Sequence, residues 1–192
     1  MAYISIVGSG NMGQAIAGLA AKGGHNVQLL SSSDTATAVA GEVVVLAVPY
    51  PAVAEVIAQR GPQLAGKVVV DITNPLNFAT FDSLTVPADG SAAAEIAAAL
   101  PDSRVVKAFN TTFAGTLVSG ELGGQPTTVL IAGDDTDAKA LLAGVVSAAG
   151  LRAVDAGALK RARELEAVGF LQLTLAAAEK ISWTGGLAVV AS

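Results

Sequence analysis

The chain has 192 residues, of which 52% are hydrophobic, 14% charged and 4% aromatic, with a formal net charge of −5. That balance suits one fully cored domain and, without a basic stripe or an aromatic platform, argues against nucleic acid as a partner. Cysteine is absent and histidine occurs once, which removes disulfides, thiolate nucleophiles, iron–sulfur clusters and histidine-rich metal sites.

Mean hydropathy is +0.58, yet Gly, Pro or charge breaks every apolar run before the roughly 20 residues of a spanning helix. Met1-Ala2-Tyr3 leads straight into an apolar strand with no signal-peptide pattern, so a cytoplasmic protein with no membrane partner is expected.

The predicted elements alternate strand and helix, the pattern of a doubly wound, Rossmann-type α/β fold with a mostly parallel sheet. Strand Ser5–Val7 runs into Gly8-Ser9-Gly10-Asn11-Met12-Gly13, and helical spacing follows at Met12, Ala15, Ile16, Leu19 and Ala20. Strand, Gly-x-Gly-x-x-Gly, helix is the dinucleotide-binding fingerprint. Gly8 permits the tight turn, Gly10 admits a pyrophosphate and Gly13 lets helix and strand pack closely, while the free amides of the helix start face the phosphates. His25 follows in Gly23-Gly24-His25-Asn26, where closing a turn is the expected role.

The second strand is expected at Val27–Leu30 and ends in Ser31-Ser32-Ser33. NAD enzymes place an acid there for the ribose hydroxyls; three hydroxyls favour NADP, with NAD the alternative, since Asp34 is close and no Arg or Lys adjoins the serines. Residues 31–42 are short for a crossover helix and predict only a turn or two. Strand Val43–Ala47 leads into Ala47-Val48-Pro49-Tyr50-Pro51, a stiff apolar loop suited to the middle of a dinucleotide. Pro51 opens a helix through Val53, Val56 and Ile57, which Gly61-Pro62 is expected to stop.

Strand Val68–Ile72 ends in Thr73-Asn74-Pro75-Leu76-Asn77. Asn74 offers donor and acceptor, as a carboxamide requires; Asn74-Pro75 also reads as a plain turn. Ser91 caps a helix carrying Ala93, Ile96, Ala97 and Leu100, stopped at Pro101. Strand Val105–Phe109 carries Lys107, expected to be solvated, and leads to Asn110-Thr111-Thr112. Strands Thr128–Ala132 and Arg152–Asp155 flank a helix with apolar positions from Ala138 to Ala149. A last helix begins near Leu159, with Ala162, Leu165, Val168 and Gly169 at helical spacing, and Lys160 and Glu164 on a solvated face as helical partners. Residues 1–192 are read as a single NAD(P)-binding domain, with about 155–192 a short C-terminal helical appendage.

Acid–base residues are sparse: there is no Tyr-x-x-x-Lys pair and no Ser–His–Asp set. Reducing a carbonyl requires a proton as well as a hydride, whereas transfer to a flavin or deazaflavin depends mainly on stacking and orientation.

Ile6-Val7-Gly8-Ser9-Gly10-Asn11-Met12-Gly13, Ala47-Val48-Pro49, Val106-Lys107-Ala108-Phe109-Asn110-Thr111, Ala132-Gly133-Asp134-Asp135 and Val154-Asp155-Ala156-Gly157 are the selective runs. Together they resemble the NADP oxidoreductase family that includes the coenzyme F420-dependent NADP reductases, and the related reductase domain of STEAP metalloreductases. The resemblance implies NADPH across the glycine turn, with nicotinamide near the Ala-Val-Pro and Asn-Thr loops. It assigns binding roles to Gly8, Ser9, Gly10, Asn11, Met12, Gly13, Ser32, Ser33, Ala47, Val48, Pro49 and Asn110. The family's Ser-Arg pair after the second strand stands here as Ser32-Ser33.

The expected function is hydride transfer between NADP(H) and a flavin, deazaflavin (F420) or similar small acceptor, in a homodimer. Cofactor contacts are expected at Gly8 to Gly13, Ser31, Ser32, Ser33, Ala47, Val48, Pro49, Tyr50, Asn74, Pro75 and Asn110, with no catalytic side chain assigned. Two alternatives stand beside it. One is a non-catalytic NAD(P) sensor. The other is a carbonyl or imine reductase of hydroxyacid-dehydrogenase type, for which only Lys180 is suitably placed. Trp183-Thr184-Gly185-Gly186 reads equally as acceptor pocket or dimer contact.

Overall fold

Valine runs in four-residue strands dictate a sheet covered on both faces, and a computed structural model describes residues 1–190 in that arrangement. The strands are β1 (Tyr3–Val7), β2 (Asn26–Leu30), β3 (Val43–Leu46), β4 (Val68–Asp71), β5 (Arg104–Lys107), a small hairpin β6 (Glu121–Leu122) and β7 (Gln125–Pro126), then β8 (Thr128–Gly133) and β9 (Arg152–Gly157). The helices are α1 (Asn11–Lys22), α2 (Val53–Leu64), α3 (Ala92–Ala99), α4 (Ala114–Ser119), α5 (Thr136–Ala148) and α6 (Ala162–Ala177). The main sheet runs β2-β1-β3-β4-β5-β8-β9, parallel except between β5 and β8. The Rossmann-type expectation holds.

Period-two alternation divides the core between the two faces. Ile4, Ile6, Val43, Val45, Val68 and Val70 pack with α1 and α5, whereas Val7, Val44, Leu46 and Val69 meet Leu64 of α2 and Ile96 of α3. Each such side chain contributes about 1.5–3 kcal/mol on full burial. Ser91 caps α3 by accepting from the Ala94 amide, and Asp135 caps α5 through Ala138.

Three expectations are corrected here. Pro62 does not stop α2, which continues to Leu64; the helix loses a single amide donor two residues from its end, and Leu64 is held in the core. β5 ends at Lys107 rather than Phe109 because Phe109 turns the chain with φ +63°. Glu164 pairs with Arg161 at 3.3 Å rather than with Lys160, on an exposed surface. Helix α4 and the β6–β7 hairpin, which lack long apolar periodicity, were not legible. Residues 31–42 form turns only, and His25 closes its turn through its own amide, which donates to the Ala20 carbonyl at 3.0 Å, while its Nδ1 accepts the Ala2 amide at 3.0 Å.

The strand order reverses at β1, between β2 and β3, which opens a crevice at the carboxyl ends of β1 and β3. The glycine turn sits there.

Candidate functional site

Gly8 leaves β1 with φ +116°, and its amide donates to the Leu30 carbonyl at 2.8 Å. A Cβ on Gly8 would stand 2.1 Å from the Ala47 carbonyl oxygen, and one on Gly13 would stand 1.9 Å from that of Gly8. Internal packing therefore explains both. Gly10 is different: a Cβ there would meet nothing within 4 Å. Packing does not demand a glycine at this position, whereas a ligand backbone approaching the turn would.

The space beside the turn is a cleft of about 320 Å³, whose walls include Gly8, Ser9, Gly10, Ser31, Ser32 and Arg60. Ala47, Val48 and Pro49 close the facing side. The start of α1 has no side-chain cap and no acidic residue in its first turn, so its amides and positive dipole end are available to an anion. A diphosphate fits this donor set.

In the loop after β2, Asp34 Oδ2 accepts from the Ser31 amide (2.7 Å) and hydroxyl (2.6 Å), while Ser31 Oγ and Ser33 Oγ are 2.8 Å apart. Hydrogen bonding from Ser31 holds the Asp34 carboxyl below the usual carboxylate range. Ser31 and Ser32 line the cleft, whereas Ser33 and Asp34 do not. Arg60 does, although nothing in the sequence reading pointed to it. Its guanidinium donates to the carbonyls of Thr37 (2.7 Å) and Asp34 (2.6 Å), and the residue is 4% exposed. The signal that could have found it is positional. Val53, Ile57, Arg60 and Leu64 share one helical stripe, so the arginine occupies a place where an apolar side chain is expected.

A second cavity, of about 470 Å³, opens on the other side of the glycine turn. Asn11, Met12, Asn74, Phe109, Asn110 and Trp183 are among its walls. Asn74 and Asn110 clasp one another. The Asn74 amide donates to the Asn110 carbonyl at 2.9 Å, and Asn110 Nδ2 donates to Asn74 Oδ1 and the Leu165 carbonyl, both at 2.9 Å. That leaves the buried Asn110 Oδ1 as an acceptor with no partner among the described residues, a feature that calls for an explanation in any folded protein. The left-handed backbone of Phe109, costly for a bulky residue, delivers Asn110 to this point.

Trp183 packs on Phe113 with ring centroids 5.1 Å apart at 55°. None of the described residues lining this cavity is titratable.

Tyr50 and Pro75 lie outside both cavities. The Tyr50 hydroxyl donates to Glu95 of α3, and burial followed by that carboxylate raises its pKa. Pro75 is buried and holds the following loop, its carbonyl accepting from the Thr85 amide at 2.7 Å.

Lys107 corrects the expectation of a solvated strand end: it is 0% exposed. β5 is an interior strand, and the register sets Lys107 beside Asp71 of β4. Its ammonium donates to Asp71 Oδ2 (2.7 Å), the Thr73 carbonyl (2.5 Å) and Glu166 Oε1 (2.8 Å). Glu166 also accepts from the amides of Ala92 and Ala93 at the start of α3. Its carboxyl pKa is raised, because burial outweighs the opposing pull of Lys107 and the amides. This cluster ties α6 to the carboxyl ends of β4 and β5. No helix among the described residues is long and apolar enough to cross a membrane.

The family described as NADP oxidoreductase, coenzyme F420-dependent, matches residues 28–75. The F420-dependent NADP reductase of Methanothermobacter marburgensis is 31% identical over 156 residues, covering 78% of this chain and 69% of that protein. The chain belongs to the coenzyme F420-dependent NADP oxidoreductase family. The F420-dependent NADP reductase of Methanocaldococcus jannaschii is 34% identical over 149 residues, which are 76% of this chain and 66% of that protein. The chain thus spans about two thirds of the length of these curated relatives. A crystal structure from an Arthrobacter species, described as a candidate F420-dependent NADP-reductase, superposes with a TM-score of 0.83 at 26% identity, covering 95% of this chain and 96% of that one. In this family member the matched stretch from β2 to Pro75 contains Ser31, Ser32, Arg60 and Asn74, which reach both cavities.

Proposed function

We propose that the chain is an NADP-dependent oxidoreductase that moves hydride between NADP(H) and a flavin, deazaflavin such as F420, or similar planar acceptor. The observation that carries this reading is the second cavity, which among the described residues is lined by amides, hydroxyls, aromatic rings and apolar side chains but by no titratable group. Such a site can orient two flat rings and exclude water, yet it has no side chain to supply the proton a carbonyl substrate needs.

When bound, the nicotinamide supplies the hydride. The chain's own residues do the rest. The amides at the start of α1 hold the diphosphate, and the open side of Gly10 lets it approach. Asn110 Oδ1, already buried and without a partner, accepts one N–H from a carboxamide or an imide. Phe109, Phe113 and Trp183 form walls against which a planar acceptor is stacked.

Anaerobic stopped-flow mixing of the chain with NADPH and, in turn, FMN, FAD and F420 tests the reading. Oxidation of NADPH with at least one acceptor is expected. Tight NADPH binding without turnover on any of them would replace it with a sensor function, and turnover on imines or ketones alone would overturn the choice of acceptor.

A further inference from the structure

We propose that Arg60 supplies the cationic half of a 2′-phosphate site and so selects NADP over NAD, a role taken over by helix α2. The inference rests on the dinucleotide reading above and deepens it. Three observations carry it. Arg60 reaches the same cleft as the glycine turn, Ser31 and Ser32. It is buried, and among the described residues it makes no ion pair with a carboxylate. A buried guanidinium whose hydrogen bonds go only to carbonyls, with the Asp34 carboxylate near but not in direct contact, has room for a closer anion to compensate its desolvated charge. Finally, its bonds to the Asp34 and Thr37 carbonyls use two of its five N–H donors. The remainder are free to meet a dianion in the forked geometry that suits phosphate oxygens.

The same two bonds shape the loop. They tie residues 34 and 37 to α2, and Ser31, Ser32 and Thr35 of the same loop line the cleft. The nearby acids are accounted for. The Asp34 carboxylate is turned onto Ser31 and does not line the cleft. Glu55, one turn before Gln59, does line it and accepts from Gln59 Nε2 at 3.0 Å; its acceptor character suits ribose hydroxyls or an adenine amine rather than the phosphate.

Calorimetric titration of the full chain with 2′,5′-ADP and with 5′-AMP tests the proposal without turnover. The wild type is expected to bind 2′,5′-ADP at least about tenfold tighter, as one charge-assisted hydrogen bond implies. Arg60→Gln abolishes that preference while leaving 5′-AMP affinity within about twofold, and Arg60→Lys retains part of it. Equal loss for both ligands in Arg60→Gln, or an unchanged preference, overturns the assignment. Should Arg60→Gln fail to fold, arginine Nε–Hε resonances of the wild type decide: one must shift with 2′,5′-ADP and not with 5′-AMP, and no selective shift overturns the proposal. Equal wild-type affinity for the two ligands overturns it while sparing the dinucleotide reading, whereas binding of neither overturns both.

Discussion

Gly169 of α6 lies so close to Asn74 that a Cβ built on it would stand 2.3 Å from Asn74 Oδ1 and 2.9 Å from the Asn110 carbonyl oxygen. The Asn74 side chain cannot swing away without breaking its paired bonds to Asn110. Gly169→Ala is therefore expected to destabilise the fold by about 1–3 kcal/mol through overpacking. That exceeds the gain of at most about 1 kcal/mol from replacing a helical glycine. Chemical denaturation measures it, and a neutral or stabilising result would show that the clasp can move.

The glycines of the fingerprint separate structure from ligand. Gly13→Ala forces a contact with the Gly8 backbone, and a melting temperature lower by several degrees is expected, in line with about 1–3 kcal/mol of strain. Gly10→Ala has open space and ordinary backbone angles, φ −71° and ψ −175°. Its stability should be unchanged or higher by up to about 1 kcal/mol. NADPH affinity should nevertheless fall by at least about tenfold, as expected when a phosphate loses charge-assisted amide contacts. Melting curves and NADPH titrations on the two variants check this reversal.

How much of this was legible before the structure depends on the distance over which each relationship acts. Gly8 to Gly13, the valine strands β3 and β4, and the Ser91 cap are local patterns of period, turn and cap; the turn and cap fall where expected, and each strand ends one residue early, at Leu46 and Asp71. Lys107 illustrates the opposite case. Its environment depends on β5 lying between β4 and β8 and on Glu166 arriving from 59 residues away, so a strand-end lysine looked solvated. Arg60 escaped for a related reason. Its stripe on α2 is apolar, and only the tertiary placement of residues 31–37 against that helix turns a solitary charge into part of a cleft. The Asn74 and Asn110 positions were legible as loop ends, but their mutual clasp was not.

Removal of the Lys107 ammonium leaves Asp71 and Glu166 facing one another in the interior. Lys107→Met should cost about 3–5 kcal/mol, the penalty for breaking a buried ion pair from one side. Glu166→Gln keeps an acceptor for the Ala92 amide and leaves Lys107 its bonds to Asp71 and Thr73. It also alters the pH response. Because the folded-state pKa of Glu166 is raised above 4.5, the native protein holds a proton that the unfolded chain has released between that value and the raised one. Stability from this group is present below 4.5 and is lost as pH rises through the folded pKa. The stability of Glu166→Gln relative to wild type should increase as pH climbs from 4.5 through that window. Urea unfolding at a series of pH values measures the difference, and a difference independent of pH would mean that Glu166 titrates alike in both states.

Trp183 is the chain's single tryptophan; it lines the second cavity, packs on Phe113 and is still 54% exposed. An aromatic ring that is half solvated contributes little to the core, so Trp183→Ala should shift the melting temperature only slightly. Its neighbour Thr184 is seated against Gly115, where a Cβ would come within 2.8 Å of Thr184 Cγ2. Stacking of one ring on another contributes about 0.5–1.5 kcal/mol, so the variant should raise the KM for a planar acceptor by about 2- to 12-fold. NADPH affinity, which rests mainly on the glycine turn and the cleft beyond it, should change less than the acceptor KM. In the wild type the same indole reports directly: adding a flavin or deazaflavin should quench its fluorescence, whereas 5′-AMP should not. Quenching by 5′-AMP, or an unchanged acceptor KM in Trp183→Ala, would place the acceptor away from this wall.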